Sequence, residues 1–257
     1  MEGSGSVDLT RHPYLEHDGP IPFAHRGGTS SAPENTMASF EHAWSLGYRY
    51  LETDVHLTTD GELVSFHDPD LTRTCGIAKQ IGEMSADEVA EARVGGEHPI
   101  PLMSDLFDRF PDARFNIDAK SEASVEPLAE MVRSRGLLDR VCLASFSYSR
   151  LQRLRRLLGP SLITNMSPPE IAPLRIVGRL PGSAPRIAQV PTSMKGIRII
   201  DQRFMRHARR AGVDVHVWTI NERSEMERLL DLGVDGIMTD ETELLREVFI
   251  ERGLWPT

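Results

Sequence analysis

Cysteine is scarce: only Cys75 and Cys142 occur in 257 residues, far apart and in no metal-binding spacing. That excludes a disulfide scaffold and a thiolate metal site, and it predicts a cytosolic protein with two reduced thiols. No apolar run approaches the roughly 18 residues that a membrane helix needs, so no integral membrane segment is expected. The first twenty residues lack an apolar core of the secretory type, so no leader is expected either. Arginine and lysine form no block and the net charge is −9, which excludes a nucleic-acid backbone as a natural partner. Internal repeats are absent, and low complexity is confined to the first few residues.

What is present is an alternation. Short β-branched runs, "IPFAH" (21–25), "YLETDV" (50–55), "LVSFH" (63–67), "ARFNIDAK" (113–120), "RVCLAS" (140–145), "LITNM" (162–166), "RIAQV" (186–190), "VDVHVWTI" (213–220) and "DGIMT" (235–239), are separated by amphipathic stretches. Several of these stretches, such as "TMASFEHAWSLG" and "ERSEMERLLDLG", end in the glycine of a helix stop. Strand–helix alternation repeated about eight times predicts a parallel sheet with helical crossovers. At this length a TIM-type (β/α)8 barrel fits best, with a doubly wound sheet as the alternative. The Asp60-Gly61 turn predicts a hairpin joining 50–55 to 63–67. Residues 69 to about 99 read as a short irregular insertion after the second strand region. The expected organisation is an N-terminal extension over 1–20 and a barrel over 21–257.

Strand side chains alternate between faces. Glu52, Asp54 and His56 share one face, opposite Leu51, Thr53 and Val55. Asn116, Asp118 and Lys120 oppose Phe115, Ile117 and Ala119, while Asp214, His216 and Trp218 oppose Val213, Val215 and Val217. With the apolar faces under the helices, the polar faces look into the barrel. Glu52, Asp54 and Asp118 then form an oxygen-rich cluster, expensive to bury without a counter-charge. Oxygen-only ligation suits Mg²⁺, Ca²⁺ or Mn²⁺. The competing reading is an ion-pair network among Glu52, Asp54, Lys120 and Arg26.

His25 and Arg26 end the first strand, and His67 with Asp68 ends the hairpin strand. Two imidazoles beside an acidic cluster supply proton transfer near neutral pH, and Arg26 and Lys120 suit phosphate oxygens. This combination fits phosphoester cleavage. Asn35 or Thr36 caps the following helix, and Glu34 belongs either to an anion site or to the helix start. Trp218 is either a core residue or a ring at the mouth. Ser145 and Phe146 end another strand and are candidates for the mouth, whereas His216 points inward at a deeper level.

The motifs "HRGGTSSAPENT", "ETDVHLTTDGELVSFHD", "LTRT", "IPLMSDLF", "NIDAK", "ASF", "VHVWTIN" and "GVDGIMTD" follow one another from about residue 21 to 240. In this order they resemble the glycerophosphodiester phosphodiesterases. The resemblance implies a TIM-type barrel with its site at the C-terminal mouth. It also implies metal-dependent hydrolysis of glycerophosphodiesters to sn-glycerol 3-phosphate and an alcohol. It places His25 and His67 on the acid/base pair, Arg26 on the phosphate-binding arginine, and Glu52 and Asp54 on metal ligands. Lys120 falls on the lysine near the phosphate and Trp218 on the mouth aromatic. The family usually has Glu where this chain has Asp118, and its closing "TD-Pro" is "TDET" here, with Asp240 kept and the change assigned to a helix start. The two glycines, Gly27 and Gly28, are expected to let backbone approach the phosphate. Attack by water and attack by the adjacent glycerol hydroxyl through a cyclic phosphate are both compatible with these residues. Two alternatives are a lipid phosphodiesterase of phospholipase D or C type and a barrel that binds phosphorylated ligands without turnover. The first would need an exposed interfacial stretch, for which "LRIVGRLPG" (174–182) is only a weak candidate. Paired histidines argue against the second.

Overall fold

A computed structural model of the protein describes residues 12–180, 186–194 and 196–256. Residues 1–11 of the expected extension, and 181–182 of the interfacial candidate, lie outside these. Eight parallel strands follow the chain: Ile21–Ala24, Tyr50–Leu57, Arg114–Ala119, Val141–Ala144, Ile163–Thr164, Ile187–Val190, Asp214–Val217 and Gly236–Thr239. Each pairs with its sequence neighbour, and Gly236–Thr239 returns to pair with Ile21–Ala24. Closure between the fifth and sixth strands is a single bridge, Asn165 to Ile187, backed by Met166 N–H to Ile187 C=O at 2.8 Å. A helix follows every strand, from Met37–Leu46 after the first to Thr242–Glu251 after the last. The chain therefore folds as a (β/α)8 barrel, not as a doubly wound sheet.

Boundaries shift where tertiary pairing takes over. Strand Tyr50–Leu57 outruns its expected end because Val55, His56 and Leu57 pair antiparallel with Ser65, Val64 and Leu63 of the hairpin. The "LITNM" run shortens to Ile163–Thr164, since the side-chain oxygen of Asn165 accepts the Ser145 N–H (3.1 Å).

Leu51, Val55, Phe115, Ile117, Val213, Val215 and Val217 pack with helix residues such as Phe40, Leu128 and Phe204 in one buried shell. Thr53 is the exception on that face. It is fully buried and donates to the Asn35 side chain (2.9 Å). The barrel floor is a second cluster containing Tyr14, Phe23, Tyr50, Cys142 and Met238. His216 belongs to this floor, its ring 4.9 Å from that of Phe23. Tyr14 and Leu15 are buried, so the described end of the expected extension is part of the barrel.

The insertion is not irregular. It holds helix Ala86–Glu91, a two-stranded ladder of Arg93–Val94 with His98–Pro99, and a core of Leu71, Ile81, Met84 and Val89 that packs on Val64 and Phe66 of the hairpin. Its apolar residues follow no single period, so only packing reveals that they form one cluster.

At the end of the first strand, Gly27 and Gly28 have φ of +81° and +86°. A Cβ on Gly27 would stand 2.4 Å from Ser39 Oγ and 2.8 Å from the Phe40 nitrogen, and one on Gly28 would stand 2.6 Å from Thr242. These glycines therefore let the turn nest between the first and last helices. Gly27→Ala is expected to destabilise the protein by about 2 kcal/mol or more, from left-handed backbone strain plus the clash. A urea midpoint equal to that of the wild type would show that the turn relaxes freely.

Candidate active site

The polar ends of the strands open into one cavity of about 500 Å³ at the C-terminal mouth. His25, Arg26, Glu52, Asp54, His67, Asp118, Lys120, Phe146 and Trp218 all line it. The structure thus brings every sequence-predicted site residue together, and it places Trp218 at the mouth rather than in the core. Phe146 packs edge to face on Trp218, with ring centroids 5.6 Å apart.

Arg26 has a left-handed φ of 53°. Such a conformation costs a non-glycine residue roughly 1–3 kcal/mol unless its surroundings fix it. Here its N–H donates to Glu52 (3.0 Å), and its carbonyl accepts from the Asn35 N–H (2.9 Å) and Ser39 Oγ (3.1 Å). The turn aims the guanidinium at Glu34 (2.9 Å) and at Asp54, whose Oδ2 lies 3.2 Å from Nε as an ion-pair contact. Thr36 is the helix N-cap, in a reciprocal box with Ser39. Asn35 instead reaches Asp54 with its amide (3.0 Å). Glu34 accepts from both Arg26 and Arg73, so it belongs to the site's charge network.

Lys120 stands between two carboxylates, 2.8 Å from Asp54 and 2.7 Å from Asp118. Among the described residues no three His, Cys, Asp or Glu side chains stand grouped as metal donors. The reason is local, because Lys120 sits where Asp54 and Asp118 converge. Glu52 differs. It is buried, and its nearest charged partner is His25 Nε2 at 3.8 Å.

The titrations follow this geometry. Burial, and then the Asp54 charge, push Glu52 up to about 7. Burial also opposes ionisation of Asp54, but Lys120 and Arg26 outweigh it and hold its carboxyl below the ordinary range. Asp118 lies above its ordinary value because burial exceeds the help from Lys120. Burial would lower Lys120, yet Asp54 and Asp118 raise it and keep it charged.

Both histidines have a fixed ring. His25 Nδ1 lies 2.6 Å from Asp240, and His67 Nδ1 lies 2.6 Å from Asp68. An ionised carboxylate only accepts, so each Nδ1 is the donor and Nε2 is left to the cavity. Burial lowers His25, but Glu52 and Asp240 outweigh it and the net shift is upward. Asp240 is held in turn by the Asn221 amide (2.8 Å), and Asp68 by Arg73 Nε (2.6 Å). Asp240 is therefore a positioning residue and not only part of a helix start. It lies 215 positions from His25 in the chain, and its one signal in the sequence is its place at the end of the last strand. The paired Asn116 and Gln189 (2.7 Å) also line the cavity; the sequence put Asn116 on the inward face but gave neither amide a role, because amides carry no charge signature.

Six carboxylates meet three permanent cations here: Glu34, Glu52, Asp54, Asp68, Asp118 and Asp240 against Arg26, Arg73 and Lys120. Were a hard divalent cation to enter this mouth, its oxygen donors would be Glu52, Asp54 and Asp118, with Lys120 displaced from between the last two.

A (β/α)8 barrel with two carboxylate-anchored histidines, an arginine and a lysine at its C-terminal mouth defines a barrel hydrolase of phosphate esters. The model of the glycerophosphoryl diester phosphodiesterase family matches residues 25–244, and the chain belongs to that family. A curated relative, "Probable glycerophosphodiester phosphodiesterase 2" of Mycobacterium tuberculosis (strain ATCC 25618 / H37Rv), is 36% identical over 252 residues, covering 94% of this chain and 95% of its own. A glycerophosphodiester phosphodiesterase of Caldanaerobacter subterraneus subsp. tengcongensis is 30% identical, covering 86% and 94%. The solved Oleispira antarctica phosphodiesterase, in complex with the product sn-glycerol-3-phosphate, shares the fold. Its TM-score is 0.75 at 24% identity, over 90% of this chain and 97% of that one. No helix among the described residues is long and apolar enough to cross a membrane.

Proposed function

We propose that the protein hydrolyses glycerophosphodiesters to sn-glycerol 3-phosphate and an alcohol, with a divalent cation on Glu52, Asp54 and Asp118. The observation that carries this reading is the pair of histidines, each with Nδ1 locked by a carboxylate, on one cavity with Arg26 and Lys120. Arg26 and Lys120 grip the non-bridging oxygens. One imidazole takes the proton of the attacking hydroxyl, and the other gives a proton to the departing alkoxide. When bound, a divalent cation neutralises phosphate charge and orients the diester. The relatives' names and the neighbour's bound product support the substrate class.

The test is release of sn-glycerol 3-phosphate from glycerophosphocholine by the purified protein with added Mg²⁺, Ca²⁺ or Mn²⁺. Steady release is expected. Absence of product with all three ions, and with glycerophosphoethanolamine as well, would overturn the reading.

The Glu52 shift adds a pH dependence. A cation must displace the proton that Glu52 carries below about 7. Apparent Mg²⁺ affinity should therefore rise with pH through that value, by about tenfold between pH 6 and pH 8 for one competing proton. Calorimetry at the two pH values measures it, and equal affinities would remove Glu52 from the ligand set.

A further inference from the structure

The second histidine is held differently from the first. Asp240, which fixes His25, is steadied by the neutral amide of Asn221 (2.8 Å). Asp68, which fixes His67 with Oδ1, gives its other oxygen to a cation, Arg73 Nε at 2.6 Å. Arg73 comes from the insertion, and its two terminal nitrogens close on Glu34, Nη1 at 3.0 Å from Oε2 and Nη2 at 2.6 Å from Oε1. Glu34 Oε1 in turn accepts from Arg26 at 2.9 Å. One guanidinium therefore joins a proton-transfer ring to the phosphate-binding arginine, in the order His67, Asp68, Arg73, Glu34, Arg26. The insertion holds it from behind. Arg73 lies on the single-turn helix Thr72–Cys75, preceded by Leu71, which is buried in the insertion core and gives its N–H to the Lys79 carbonyl (3.1 Å). On the other side the Thr74 carbonyl accepts from the Gly95 N–H (2.9 Å). Stability alone is a poor reason for this arrangement. The Arg73 side chain is 49% exposed, and exposed ion pairs add little to stability. What a forked guanidinium does add is fixed orientation of the carboxylates it bridges.

We propose that Arg73 is a positioning residue for the diesterase reaction, and that the insertion serves to deliver it. The inference rests on the function proposed above. Arg73 is not among the residues that line the cavity, so it acts through its two carboxylates. Through Asp68 it stops the carboxylate from turning away from Nδ1, so the His67 ring keeps one tautomer and presents Nε2 to the substrate. Through Glu34 it takes up two of the bonds that this carboxylate can accept and leaves one for Arg26. Without Arg73, Glu34 would draw the Arg26 guanidinium to itself and compete with the phosphate for its donors. Loss of the first arm falls on kcat, and loss of the second falls on KM. A lysine is no substitute, since one ammonium on a flexible stem does not hold two carboxylates in fixed geometry.

The test uses the full chain with Mg²⁺ and glycerophosphocholine, and the variants Arg73→Met and Arg73→Lys. Arg73→Met should lower kcat by about thirtyfold, inside the roughly hundredfold that a small misplacement of a reacting group costs, and should raise KM several-fold. Arg73→Lys keeps the charge but not the fork, and its kcat should stay about fivefold below that of the wild type. Combination with Asp68→Asn and with Glu34→Gln locates the effect. Arg73→Met should cost no further kcat beside Asp68→Asn, and add no further rise in KM beside Glu34→Gln, because each partner's loss already frees that arm. Nitrogen NMR of the histidine rings at about pH 8.5, where an ordinary imidazole is neutral, gives a signature that a merely stabilising ion pair would not move. His67 is expected as the Nδ1–H tautomer in the wild type and as a mixture in Arg73→Met, with His25 unchanged. Wild-type kinetics in Arg73→Met, a full extra loss of kcat beside Asp68→Asn, or an unchanged His67 tautomer would each overturn the proposal. If Arg73→Met does not fold, Arg73→Lys decides: the fivefold loss at an unchanged melting temperature upholds the proposal, and wild-type kinetics overturn it. If the wild type cleaves no diester, the function reading fails, and the ring spectra alone decide whether Arg73 positions His67.

Discussion

His25→Ala will leave the protein folded and lower kcat by about 10²–10⁴, the scale of a lost acid/base group. The expectation rests on how the ring is held. Asp240 fixes Nδ1 at 2.6 Å, and Asn221 fixes Asp240, so Nε2 is the nitrogen left to the mouth. His25 lies within the Ala24–Gly28 turn and outside the hydrophobic clusters of the barrel, so truncation removes little core packing. Asp240→Asn separates positioning from chemistry, because the amide keeps the shape but not the charge that, together with the larger effect of Glu52, holds His25 upward. It should reduce kcat less than His25→Ala and move the pH–rate profile. His67→Ala should fall in the same range as His25→Ala, since Asp68 anchors it in the same way. Near-normal kcat in either histidine variant, with an unchanged melting temperature, would make that histidine structural.

Chelation with EDTA should abolish turnover, to below about one hundredth, and Mg²⁺, Ca²⁺ or Mn²⁺ should restore it. The physical reason is the charge balance of the mouth. Glu52 is buried beside Asp54 with no lysine or arginine at ion-pairing distance among the described residues, and a phosphodiester brings a further negative charge. Full activity after exhaustive chelation would show that Arg26 and Lys120 suffice. Asp118 divides the two arrangements more finely. It is 2.7 Å from Lys120, so a cation ligated by Asp118 must share it with the lysine. If Asp118 ligates, Asp118→Asn weakens metal binding, and Asp118→Glu keeps or tightens it through a longer reach. If it serves Lys120 alone, Asp118→Asn leaves metal affinity unchanged and raises KM. A metal titration of both variants by calorimetry separates the cases, and the ligand role is the expected one.

Much of this was written into local sequence. The alternation of short apolar runs with amphipathic stretches set the eight strands and their helices, because each pattern has one face to bury. Side-chain alternation alone placed Glu52, Asp54, Asp118 and Lys120 on the inward face, since a strand offers only two faces. His25 and Arg26 were legible as a charged strand end followed by glycines. Other features depended on residues far apart in the chain. Asp240 meets His25, Arg73 of the insertion meets Glu34 and Asp68, and Tyr14 closes the floor beneath Tyr50. No periodicity encodes such pairs, because barrel closure and loop packing bring them together. A packing role of Gly27 and Gly28 was hidden for the same reason: what lies within 3 Å of a missing Cβ is a neighbouring helix, which only the assembled barrel supplies. One side of the mouth is apolar, and it is the extreme case. Ile171, Ile176, Met194, Ile199 and Phe146 are unremarkable one by one, and they become a surface only where the barrel's closing strands turn them toward a single cavity.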